Sequence, residues 1–312
     1  MGDDKRPARL AAGSRVAVVA PAGAVVPEML DAGLETLAAW GLDVAVGAHV
    51  RDRHPTFTYL AGTDADRAAD LQAAWCDPSV SAVFCARGGY GCLRLLDLLD
   101  WSAMASAGPK LLVGSSDVTA LHEMVRARLG WPTMFGPMMG TGSFVSDPTA
   151  QEHHRSLLFS PVSGTVLAGP LAEPLVAGTA QGVTVGGNLS LLCSAQGVPD
   201  IPPPPVGAIG LLEDVTEEPY RIDHFVTHLR RTGWFSRLSG VVLGSWHECG
   251  EPTAVRAVLE DRLSDLGIPV IWELGFGHCP AQLTVPLGAE VSLVSNPATG
   301  EASLTLVGDA LD

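Results

Sequence analysis

Residues 110–128 read Lys-Leu-Leu-Val-Gly-Ser-Ser-Asp-Val-Thr-Ala-Leu-His-Glu-Met-Val-Arg-Ala-Arg. An apolar run at 110–113 enters a turn of small residues and leaves as a helix over 117–128. A serine in that turn stands at the carboxyl end of a strand, where α/β sheets bind their ligands. It also stands at a helix N-terminus, whose unpaired amides stabilise developing negative charge. Ser116 is therefore a candidate nucleophile, and the Asp117 amide a candidate oxyanion donor. Ser and Asp are also favoured helix caps, and taken alone the segment fits a cap better. It is not the Gly-x-Ser-x-Gly elbow of α/β hydrolases.

The same alternation extends upstream. Strands are expected at 16–20, 42–46 and 80–85, with a further one at 133–135. Helices are expected at 27–40, 63–75 and about 92–99. Thr63 and Asp66 approximate a capping box at the start of the second helix. Strands separated by helices imply right-handed crossovers and a parallel sheet covered on both faces. Between about 140 and 182 the pattern dissolves into Pro, Ser, Gly and polar residues, a natural connection between domains. Beyond it, strands are expected at 208–212 and 240–244, helices at 220–231 and 252–263, and short antiparallel strands at 290–293 and 303–307. The expected organisation is an N-terminal α/β domain over 1–150, a linker over 151–180 and a C-terminal domain over 181–312.

Composition narrows the function. The chain has 312 residues, 47% hydrophobic and 17% charged, which describes a well-buried globular protein. A net charge of −15 repels phosphate backbones and anionic membranes, so neither nucleic acid nor a membrane is an expected partner. Six scattered cysteines without a Cys-x-x-Cys pair read as free thiols of a reducing compartment. Lys5, Arg6, Arg9 and Arg15 precede an apolar stretch that imitates a signal peptide, but Asp3, Asp4, Pro21 and Gly23 spoil it. The expected location is the cytoplasm.

Other segments carry chemistry. Arg87-Gly88-Gly89-Tyr90-Gly91 follows a strand, and its glycines let backbone approach a ligand closely. It can supply a second oxyanion amide from Gly88 or Gly89, and Arg87 can fork onto a substrate carboxylate. A serine nucleophile needs a base, and the base needs an orienting acid. His278 stands in a loop constrained by Gly275, Gly277 and Pro280. Glu213 ends an apolar strand, with Asp214 expected on the opposite face by alternation. His224 and His228 share a helix face without completing a zinc motif, and His247-Glu248-Cys249 lacks a second ligand group. No metal or other cofactor is expected.

Seven motifs in order give these segments a context. They are Val-Val-Ala-Pro-Ala-Gly at 18–23, Tyr-Leu-Ala-Gly-Thr-Asp at 59–64, Ala-Arg-Gly-Gly-Tyr-Gly at 86–91, Gly-Ser-Ser-Asp-Val-Thr-Ala-Leu at 114–121, and Gly-Gly-Asn-Leu-Ser at 186–190. Leu-Glu-Asp at 212–214 follows with Pro-Tyr-Arg-Ile-Asp at 219–223, then Gly-His at 277–278 with Pro-Leu-Gly at 286–288. Together they resemble the LD-carboxypeptidase family of serine peptidases, which includes the microcin C immunity peptidases. The resemblance implies a Ser-Glu-His triad of Ser116, Glu213 and His278, with Asp117 and Gly89 as oxyanion donors. It overturns the local preference for a cap. Arg87, Gly88 and Tyr90 are the expected substrate-binding residues. It also implies a flavodoxin-like, parallel-sheet N-terminal domain beside a mixed, mainly β C-terminal domain with the site between them, and a homodimer. His224 stands where the family commonly has Arg, and Ser115 where a bulkier residue often stands.

The implied reaction is hydrolysis of an L,D-peptide bond, releasing terminal D-Ala from murein tetrapeptide. An immunity-type activity would instead cleave the amide joining a peptide or amino acid to a modified nucleotide, with Trp234 or Trp246 stacking on the base. Two readings of other kinds are a non-catalytic nucleotide- or sugar-binding protein using residues 87–91, and a zinc amidase using His247 and His278.

Overall fold

Val16 to Val19 are buried without interruption, as expected of a central parallel strand covered on both faces. In the computed structural model, which describes residues 6–198 and 200–312, this run is β1 (Arg15–Val19). After it come α1 (Pro27–Ala39), β2 (Asp43–Val46), α2 (Asp64–Cys76), β3 (Val80–Cys85), α3 (Trp101–Ala107), β4 (Leu111–Gly114), α4 (Thr119–Arg128), β5 (Thr133–Phe135), α5 (Gly142–Val145) and α6 (Pro148–Phe159). The chain continues through β6 (Val166–Leu167), β7 (Glu173–Val176), β8 (Gly178–Asn188), α7 (Leu189–Ser194), β9 (Ala208–Val215), α8 (Pro219–Arg231), β10 (Leu238–His247), α9 (Pro252–Leu263) and β11 (Val270–Trp272). β12 (Val285–Leu287), β13 (Glu290–Asn296) and β14 (Glu301–Leu306) close it. Asp3, Asp4 and Lys5, used in reading the N-terminus, lie outside the described residues.

The chain divides into two compact units. The first holds the residues up to Pro161, together with Thr284–Pro286 and Ala310–Asp312. Its sheet runs β12-β5-β4-β3-β1-β2, and the pairs from β2 through β5 are parallel. The order 2-1-3-4-5 is that of flavodoxin-like folds, whose switch point lies between β1 and β3. There the loops leaving the two strands meet, and the Gly23 amide donates to Gly88 O at 3.0 Å.

Two expectations change in this unit. Residues 92–99 are not a helix. A single 3-10 turn, Cys92–Arg94, is followed by turns, and the helix begins at Trp101, where the Asp100 side chain accepts from the Ala103 amide at 2.9 Å. The segment expected as a linker carries regular structure. α6 is started by Asp147, whose side chain accepts from the Ala150 amide at 2.9 Å. β6 and β7 belong to the second unit.

The second unit covers Val162–Leu283 and Leu287–Asp309. Its sheet runs β6-β14-β13-β8-β9-β10-β11-β7. β8 changes partner type along its length. Residues 178–183 pair antiparallel with β13, and residues 184–188 pair parallel with β9. β9, β10 and β11 continue in parallel. Helices α7, α8 and α9 bury Leu189, Ile222, Val226, Leu229, Val255 and Leu259 in the core of this unit. The fold is thus α/β, a flavodoxin-like unit and a mixed, mainly β unit. Among the described residues no helix is long and apolar enough to cross a membrane.

Candidate active site

β4 ends at Gly114, and the chain turns through a 3-10 segment, Ser116–Val118, before α4 begins. Ser116 has φ 58°, the left-handed region that costs an ordinary side chain about 1–2 kcal/mol. A cap takes extended backbone instead. Ser115 occupies the cap position, but its side chain makes no capping hydrogen bond. The cap explanation for this turn therefore does not hold.

The glycine turn packs directly on Ser116. A Cβ at Gly88 would stand 2.9 Å from Ser116 Cβ and 3.1 Å from its Oγ, so no larger residue fits without displacing the hydroxyl. Asp117 holds the far end of the same turn. Its buried carboxyl accepts from the Cys92 amide at 2.7 Å. Burial raises the Asp117 pKa, and the bonds from Cys92 offset only part of that rise. Arg87 is half-buried, and its Nη1 donates to Ala24 O at 2.8 Å. Tyr90 is 48% exposed and meets Tyr59 edge-on at 5.7 Å. Ser116, Asp117, Gly88, Gly89, Arg87 and Tyr90 thus come from two adjoining loops of the first unit.

Glu213 and His278 meet within the second unit. Glu213 is fully buried near the end of β9, and its Oε2 lies 2.7 Å from His278 Nδ1. A carboxylate only accepts, so Nδ1 carries the proton and Nε2 keeps its lone pair. Gly277 makes the contact possible, since a Cβ there would fall 2.6 Å from Glu213 Oε2. Burial lowers the His278 pKa, but the charge and hydrogen bond of Glu213, with the charge of Asp214, outweigh it and leave the pKa raised.

Asn188, for which the sequence suggested no role although it lies within a quoted motif, joins this pair. It stands opposite Glu213 in the β8–β9 register. Its Nδ2 donates to Glu213 Oε1 at 3.3 Å and to Asp214 Oδ1 at 2.8 Å. Asp214 does not turn away to solvent. It is buried, and it also accepts from the amides of Ser190 and Val215, each at 2.9 Å. Burial and the neighbouring Glu213 push its pKa up to about 7.

The remaining candidates fall elsewhere. Trp234 and Trp246, proposed as base-stacking residues, are part of the buried core of the second unit. His154 is buried in α6, with Nδ1 2.7 Å from Thr284 Oγ1. Among the described residues, the one group of three whose side chains could converge on a metal is His49, Asp52 and Asp66. It includes neither His247 nor His278, so the zinc reading has no ligand set.

Family models match on both halves of the chain. The LD-carboxypeptidase N-terminal domain covers residues 16–136, and the LD-carboxypeptidase C-terminal domain covers residues 181–293. The chain belongs to the LD-carboxypeptidase family. A putative carboxypeptidase of Streptomyces coelicolor is 55% identical over 94% of this chain and 94% of its own length. The murein tetrapeptide carboxypeptidase of Pseudomonas aeruginosa is 32% identical over 90% of this chain and 94% of its own. The crystal structure of muramoyltetrapeptide carboxypeptidase from Oxalobacter formigenes superposes with a TM-score of 0.82 at 28% identity, covering 96% of this chain and all of that one (100%). The microcin C7 self immunity protein MccF, in complex with aspartyl sulfamoyl adenosine, shares the fold with a TM-score of 0.85 at 22% identity, over 98% of this chain and 99% of that one.

Proposed function

We propose that the protein is a cytoplasmic serine carboxypeptidase that removes terminal D-Ala from murein tetrapeptide by hydrolysing an L,D-peptide bond. The observation that carries the mechanism is the 2.7 Å contact of His278 Nδ1 with buried Glu213, which presents Nε2 as a base. Ser116 Oγ attacks the scissile carbonyl carbon, and its proton passes to His278 Nε2. Glu213 holds the imidazole tautomer and stabilises the imidazolium. The amides of Asp117 and Gly89 bind the oxyanion, each contributing about 3–4 kcal/mol. The C–N bond then breaks, and His278 returns its proton to the amine of the departing D-Ala. Water attacks the acyl-enzyme with His278 again as base, and the shortened peptide leaves. No metal or cofactor takes part in this scheme.

The substrate class rests on the murein-peptide activities named for the Pseudomonas and Oxalobacter relatives. Incubation with murein tetrapeptide, followed by mass, tests it. D-Ala is released by the native protein and not by the Ser116→Ala variant. Inert tetrapeptide together with nucleotide release from an aminoacyl-sulfamoyl nucleotide moves the assignment to an immunity-type activity. Activity that survives Ser116→Ala removes the triad.

A further inference from the structure

Among the described residues Arg67 is the one buried arginine. It stands on α2, and its guanidinium joins three segments of the first unit. Nη1 donates to Pro21 O in the loop that leaves β1, and to Gly91 O at the end of the glycine turn at 3.1 Å. Nη2 donates to Asp64 Oδ1 at the start of α2, where Asp64 Oδ2 also accepts from Arg94 Nε at 2.9 Å. Gly91 has φ 134°, and a Cβ there would come within 2.6 Å of Arg67 Nη1. A buried ion pair often gives less stability than apolar side chains of the same volume. What a guanidinium supplies instead is direction, since its donors form a rigid fork.

The peptide group between Gly91 and Cys92 receives that direction. Its carbonyl accepts from Arg67, and its N–H donates to Asp117 Oδ2 at 2.7 Å. One peptide group is thus held between a buried cation and a buried carboxyl. Burial raises the Asp117 pKa, and the charge of Arg67 is among the influences that oppose the rise. The other end of the turn is held by the Gly23 amide, which donates to Gly88 O at 3.0 Å, two residues beyond Pro21. Gly88 and Gly89 lie between these two anchors, and Gly88 packs on Ser116.

We propose that Arg67 is a positioning residue for the oxyanion pocket, fixing the amides of Gly89 and Asp117 through Gly91 and the Gly91–Cys92 peptide without touching substrate. This rests on the serine-nucleophile reading and adds to it the group that presets the two donors. Donors set in advance stabilise the developing charge without reorganising at the moment of reaction. Loss of Arg67 therefore raises the barrier and leaves substrate binding in place. No sequence motif singled Arg67 out.

The test measures D-Ala release from murein tetrapeptide together with calorimetric binding of a peptide boronic acid whose boron replaces the scissile carbonyl carbon. Ser116 Oγ bonds to the boron, its proton passes to His278, and the tetrahedral boronate places an oxygen at the oxyanion position. Arg67→Ala lowers kcat by about 100-fold with KM nearly unchanged. Its boronate Kd rises by a similar factor, with the binding stoichiometry kept. Arg67→Lys, which retains charge without the fork, loses about 10-fold and is read alone if Arg67→Ala does not fold. A merely structural role lowers stoichiometry and kcat together and leaves the boronate Kd native. That result, or native kcat in the variants, overturns the proposal, while D-Ala release by the native protein keeps the carboxypeptidase reading. If the boronic acid binds with a Kd that depends on Arg67 but the native protein releases no D-Ala, the positioning role stands and the substrate assignment fails. If the native protein neither binds the boronic acid nor releases D-Ala, both fall.

Discussion

At Ser116 the backbone holds φ 58°, and nothing in the packing of an ordinary turn calls for a side chain there. Strain of this kind persists where the surroundings over-determine it, and it is frequent at reacting groups. Ser116→Gly is expected to raise stability by about 1 kcal/mol while reducing hydrolysis to background. Urea unfolding read alongside D-Ala release checks both effects. Equal or lower stability in the glycine variant would mean that the serine is not strained. Gly88→Ala is expected to act oppositely. Its new methyl would press on Ser116 Cβ and Oγ at 2.9 and 3.1 Å, misplacing the nucleophile. The expected cost is about 100-fold in kcat, with the unfolding midpoint little changed.

β8 and β9 act as a pair, because their parallel register sets Asn188 against Glu213 and so ties two adjacent carboxylates together. In the proposed mechanism the acid limb of the pH profile belongs to His278, which must be neutral to accept the serine proton. Since Glu213 and Asp214 leave its pKa raised despite burial, kcat/KM should climb through a pKa above the ordinary histidine value. Glu213→Gln removes a charge that supports the imidazolium, so it should move that limb to lower pH and slow the reaction by about 10³- to 10⁴-fold. An unmoved limb would separate Glu213 from the base. Asp214 also affects stability. Unfolded, its carboxyl titrates near about 3.9, and folded at about 7. Between those values the folded state keeps a proton that the unfolded state has lost, so this group's contribution falls as pH rises through the window. The fall amounts to a few kcal/mol, at about 1.4 kcal/mol per unit. Denaturant unfolding at pH 5 and pH 8 should show the decline, and Asp214→Asn should flatten it.

Over the whole molecule, the sequence was most legible where hydrophobic period and turn chemistry agreed. The strand at 80–85 and the helix at 252–263 lie within the bounds that their patterns implied. β8 was not legible. Its 11 residues include Gly178, Gly182, Gly186 and Gly187, which read as loop. Packing explains them, since a Cβ at Gly182 would come within 2.0 Å of Gly207 O, and one at Gly186 within 2.1 Å of Leu211 O. The leucine-rich stretch at 92–99 misled in the other direction. Leu95, Leu96 and Leu99 are buried, but they reach the core from turns, and Asp100 starts the helix only afterwards. In the candidate site, Ser116, Glu213 and His278 were nameable from ordered motifs. Asn188 was not given a role, because its contacts with Glu213 and Asp214 join residues far apart in sequence.

Ser116 belongs to one unit, and Glu213 and His278 belong to the other. The proposed mechanism requires that Ser116 itself carry the acyl group. Rapid acid quenching during turnover of murein tetrapeptide, followed by peptide mapping by mass, measures this. The predicted result is a covalent adduct with the mass of the acyl group left after D-Ala departs, located on Ser116 and accumulating before D-Ala release reaches steady state. Release of D-Ala with no adduct at any time point, or an adduct on another residue, would contradict it.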